Sequence, residues 1–198
     1  MTNYGLPKCI VIDEQSNTTV PIRNDGDFRV VLDCFDALND VELNKEEKII
    51  SALYIFYADY EEVEDVLGDE LMSARVTAMF NFFNCGQEET GPSHSYKLVD
   101  WEKDATLIFS AVNSVAGKEV RSEEYMHWWT FAGFYSSIGE CTLSTIISIR
   151  EKIAKGEKLE SYERKFKTNN PQYFSWSLRT AEQDEADKLA RELWNSGV

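Results

Sequence analysis

From Tyr125 to Tyr135 the chain reads Tyr-Met-His-Trp-Trp-Thr-Phe-Ala-Gly-Phe-Tyr, and only His127, Thr130 and Gly133 interrupt an apolar, aromatic run. A helix that is apolar on nearly every side has no face to give to water and belongs in the middle of a core. This stretch therefore demands a fold with enough neighbouring elements to cover it. The pattern predicts a helix that starts from a Ser122 cap, holds Glu123 and Glu124 in its positive first turn, and stops near Ile138 before Gly139. His127-Trp128-Trp129 then reads as core packing rather than as an aromatic box for a ligand.

The rest of the chain supplies the cover. Phe28, Val31, Leu32, Phe35 and Leu38 recur at intervals of three and four, a helical stripe. Asn44 and Glu47 have the spacing of a capping box ahead of Ile49, Leu53 and Phe56. A further helical stretch runs from about Glu61 to Phe83, broken near Gly68. Leu98, Trp101, Ala105, Ile108, Val112 and Val115 form another face, ended by Gly117. Thr142 is placed to cap a helix bearing Leu143, Ile146, Ile147 and Ile153. Arg150 falls on nearly the same face as Ile146 and Ile147. A guanidinium there needs a carboxylate, and Asp104 and Glu124 are the candidates.

Residues 8–23 differ, with two β-branched runs around a polar turn from Asp13 to Asn17. The expected fold is mainly α: a compact helical bundle over 1–174, with a short N-terminal β-hairpin at 8–23 and an exposed joint at 86–95. An appended C-terminal helix occupies the 175–198 extension, opened by the Thr180–Gln183 capping pattern. Trp101, Ile108, Trp128, Trp129, Phe131, Ile146 and Ile147 are the expected core.

Charge narrows the function. The formal net charge is −15, and it is uneven: residues 1–95 carry 19 acids and 6 bases, residues 96–198 carry 16 and 14. That balance repels phosphate backbones and argues against nucleic-acid binding. Asp59, Glu61, Glu62, Glu64 and Asp65 belong to the densest acidic run. Lys155, Lys158, Arg164 and Lys165 belong to a basic segment over 150–167, expected to be helical and broken by Asn169-Asn170-Pro171. These two groups are the candidate partner-binding residues. The acidic half is expected to keep the protein soluble, and the basic segment to meet an acidic surface of a neighbouring subunit in multimers.

Chemistry finds little support. No GxSxG, P-loop or HExxH motif is present, so no catalytic residue is assigned. Cys9, Cys34, Cys85 and Cys141 lie far apart without a CxxC pair, so neither a metal site nor a cofactor is expected. No leader-like N-terminus and no apolar run of about 20 residues is found, which predicts a chain without a membrane span.

Several short stretches carry a family likeness. Asp27-Phe28-Arg29 follows the hairpin, and Glu46-Glu47-Lys48 precedes Leu53-Tyr54. Tyr96-Lys97-Leu98 with Trp101-Glu102-Lys103-Asp104 leads, in order, to His127-Trp128-Trp129-Thr130-Phe131 and Ile146-Ile147-Ser148-Ile149-Arg150. In these residues, over roughly 6–174, the chain resembles the bacteriophage gene-product-fifteen family. It departs from that family at Ala116–Val120, where Gly-Ile-Asp-Leu is usual. The resemblance implies a non-catalytic tail assembly chaperone of long-tailed phages of Gram-positive bacteria. Such a protein binds the tape measure protein, gives way to tail tube protein, works in the host cytoplasm and is absent from the mature virion. The competing readings are a structural component retained in the virion, an acidic DNA-mimic inhibitor of a host protein, and a small hydrolase using His127 or Cys141.

Overall fold

The computed structural model describes residues 5–13, 18–63, 68–87 and 98–175. All but the first residue of the turn expected from Asp13 to Asn17, Glu64 and Asp65, all but the first two residues of the 86–95 joint, and the helix expected after Thr180 lie outside them. The described chain is mainly α, with one two-stranded antiparallel sheet at its N-terminal end. Strands β1 (Cys9–Asp13) and β2 (Thr18–Pro21) set Cys9 opposite Pro21, Ile10 opposite Val20 and Val11 opposite Thr19, with a register shift before Asp13. Ile10 and Val20 form the buried pair. Pro21 is accommodated because its nitrogen lies on the side of β2 away from β1, where its carbonyl accepts from the Ala58 amide, so no bond of the hairpin needs the missing N–H.

Helix α1 (Phe28–Asn39) follows a turn in which Asn24, Asp25 and Gly26 all take positive φ. Of the expected stripe it buries Phe28 and Val31 and half-buries Leu32, Phe35 and Leu38, while Val30 and Cys34 are buried beside them. Helix α2 (Lys45–Phe56) opens with the expected capping box. Asn44 Oδ1 accepts from the Glu46 and Glu47 amides, and the Glu47 carboxylate accepts from the Asn44 amide at 2.8 Å. Short α3 (Tyr60–Val63) precedes α4 (Asp69–Phe83), with Gly68 at the latter's N-cap.

Helix α5 spans Ala105–Ala116 and ends on Gly117 at φ +69°. The face read from Leu98 is therefore helical only from Ala105. Asp104 accepts from the Asp100 amide and Asp100 from the Lys103 amide, and these side chains draw 100–104 into turns.

Helix α6 (Trp128–Ser136) starts later than the Ser122 cap predicts. Ser122 sits in a 3-10 turn, Val120–Ser122, capped by Glu119. The Met126 amide donates to the Asp27 carboxylate, and its carbonyl accepts from the Phe28 amide. These bonds hold the approach to Trp128 extended against the start of α1 and deny it helical partners. Helix α7 (Thr142–Ala154) is capped by Cys141 rather than Thr142. The basic stretch is not one helix, because α7 ends ahead of Gly156 at φ +70° and α8 covers Ser161–Asn169.

The chain divides into two units. The first takes its described residues from 1–90 and Ile108–Ile138. There α1 packs on α2 and α6, α2 on α4, and α4 on β1. Phe28 stacks on Phe131 at 4.6 Å between ring centres, and Leu53, Phe56 and Met79 are fully enclosed. Each such side chain contributes about 1.5–3 kcal/mol on burial. The second unit draws on 91–107 and 139–198, and buries Leu143, Ile146 and Ile149. Of the expected core, Ile108, Trp128, Phe131 and Ile146 are buried, while Trp101, Trp129 and Ile147 are half-buried.

Candidate functional site

The His-Trp-Trp triplet lies in the first unit, at the start of α6. His127 is its N-cap: Nδ1 accepts the Trp129 amide at 3.0 Å. That leaves the ring proton on Nε2, which donates to the Pro7 carbonyl at 2.9 Å. Burial holds the imidazole below its ordinary value, against the opposing pull of Pro7, Asp25 and Asp27. Both ring nitrogens are engaged while the ring is neutral, which suits a cap and leaves no free lone pair for general-base work.

The two indoles are donors as well as packing groups. Trp128 Nε1 donates to the Phe83 carbonyl at 2.9 Å and Trp129 Nε1 to the Phe82 carbonyl at 3.0 Å. These carbonyls belong to the last turn of α4, where i+4 partners run out; that of Phe82 also accepts from the Cys85 amide. Arg23 does the same for α2, donating to the carbonyls of Tyr54, Ile55 and Tyr57. Asp27 closes the arrangement. It caps α1 through the Arg29 amide, takes two bonds from the Arg29 guanidinium at 3.0 Å, and accepts from Met126. Arg29 in turn donates to the carbonyls of Arg121 and Glu123.

In the second unit Arg150 is the organising residue. It meets Asp104 in a two-pronged pair at 2.6 and 2.9 Å, both side chains almost fully buried. It also donates to the Leu98 and Tyr173 carbonyls. Every N–H it directs inward has an acceptor, as a buried guanidinium requires.

A family model described as Bacteriophage Gp15 protein matches residues 13–173, ending on the tyrosine whose carbonyl Arg150 holds. The chain belongs to that family. No curated protein and no solved structure matches it. This Gp15 family member is a bacteriophage protein of structural or assembly type. Among its described residues no helix is long and apolar enough to cross a membrane.

The charged residues singled out from the sequence fall in different settings in this Gp15 chain. Asp59 is half-buried in a two-pronged pair with Arg75 at 2.8 and 2.9 Å, so its carboxylate serves the fold. Glu61 and Glu62 are exposed on α3. Lys155 pairs with Glu151 on α7, while Lys158, Arg164 and Lys165 are exposed. Sequence reasoning missed Asp27, Arg23 and the capping role of the indoles. One signal was present: Asn24-Asp25-Gly26 is turn chemistry, and Asp27 before an amphipathic run is a strong N-cap.

Proposed function

We propose that this Gp15 family member is a tail assembly chaperone that binds the tape measure protein, keeps it soluble in the host cytoplasm, carries out no chemistry and leaves before the virion is complete. The observation that carries the reading is the fate of the family's most distinctive triplet. His127, Trp128 and Trp129 cap two helices and fill a core instead of lining a ligand cavity. A protein built this way acts through its surface. That surface combines high negative charge with scattered exposed apolar groups, among them Val41, Ile50 and Tyr162. Net charge keeps a holding protein dispersed, and apolar contacts of modest area grip an amphipathic helix while allowing displacement.

Co-expression with the tape measure protein of the same phage tests the reading. We expect the soluble fraction of that protein to rise and the two chains to co-purify. An insoluble tape measure protein that gains nothing from the partner would overturn it. Detection of the chain in purified particles would select a structural component instead.

A further inference from the structure

On the second unit, Lys158, Arg164 and Lys167 surround a groove of about 730 Å³ whose apolar lining is Leu159, Pro171 and Phe174. All three cations are exposed, and none makes an ion pair among the described residues. Positive charge over an apolar floor fits a surface that is acidic and partly apolar. The same chain displays one. Glu61 and Glu62 on α3, and Asp69 and Glu70 at the start of α4, are exposed and likewise without an ion pair among the described residues. Tyr54 and Leu71 expose 40% and 42% of their surface. Tyr54 meets Tyr60 edge-on at 6.0 Å, and the Tyr60 hydroxyl reaches the Met72 sulfur, so α2, α3 and α4 present this face together.

We propose that the basic groove of one copy receives the acidic α3–α4 face of a second copy. Groove and face are different surfaces, so the contact is head-to-tail and repeats from copy to copy. A groove of this size supports a weak association, with Kd in the range of about 10 μM to 1 mM, and its charge pairs make it salt-sensitive. The inference concerns self-association alone and stands whatever client the chain binds.

Sedimentation velocity of the full chain, over a series reaching about 1 mM, is the test. The mass should grow with concentration at low salt and fall back at high salt. Arg164→Glu with Lys167→Glu, and separately Glu61→Lys with Glu62→Lys, should each weaken association roughly tenfold or more. Mixing the two variants should restore it, because the untouched groove of one meets the untouched face of the other and the two reversed surfaces also match in charge. Restoration also shows that both variants are folded. A wild-type chain that stays monomeric throughout overturns the proposal and leaves the groove to another occupant, the chain's own 176–198 segment included. Variants that associate like wild type, or a mixture that fails to associate, overturn it as well.

Discussion

At Gly26 the backbone takes φ +79°, and an added Cβ would lie 2.8 Å from Phe82 Cζ and 3.2 Å from His127 Nε2. Both the left-handed backbone and the close approach exclude a side chain. Gly26→Ala should lower stability by about 2 kcal/mol or more, read from urea unfolding. His127 is next to it and gives a pH-dependent prediction. Its folded-state value is depressed, so the unfolded chain binds the proton more readily. The stability contributed by the neutral ring is fully present above the unfolded value of about 6.5 and is lost as pH falls below it. His127→Asn keeps an acceptor for the Trp129 amide but does not titrate. The stability difference between wild type and variant should therefore shift against wild type between pH 7 and 5. Parallel unfolding curves at all pH values would remove the capping role assigned to this ring.

Helices α1, α2 and α7 begin where the short side chains of Asp27, Asn44 and Cys141 accept from backbone N–H groups, and two of these caps make contrasting predictions. Asn44→Ala should cost about 1 kcal/mol, measured by thermal or urea unfolding. At α7 the cap is the weaker acceptor Cys141 Sγ, 3.5 Å from the Ser144 amide. Cys141→Ser should stabilise by about 0.5 kcal/mol, since a hydroxyl oxygen accepts better than sulfur. The capping box at Asn44 was legible because all its chemistry lies within four residues. So were the hairpin strands, the α1 stripe and the break at Gly68. The start of α6 was not legible. Its apolar pattern continues smoothly back to Tyr125, and what stops the helix is Asp27, roughly a hundred positions earlier in the chain. The indole caps on α4 were hidden for the same reason: composition announces a tryptophan's bulk but not which carbonyl its N–H will find. Arg150 was half legible, since its need for a carboxylate was plain while the choice between Asp104 and Glu124 required three dimensions.

On the scale of the whole chain, the buried Arg150–Asp104 pair joins stretches that are far apart in sequence. Removing one partner leaves an uncompensated charge, so Asp104→Asn should cost about 3–5 kcal/mol. Replacing both, Asp104→Leu with Arg150→Met, should recover most of that loss. Hydrogen exchange should show protection falling first in 98–107 and 139–175, the described parts of the second unit. A second unit built from two separated stretches also has a consequence during synthesis. Asp104 leaves the ribosome 46 residues ahead of Arg150, and all of the first unit's residues are made in the meantime or before. The nascent chain must hold that carboxylate in water while the earlier segments condense, and close the gap only once α7 has emerged. A chain cut short between Ile138 and Arg150 would keep every residue of the first unit and leave the second without its anchor.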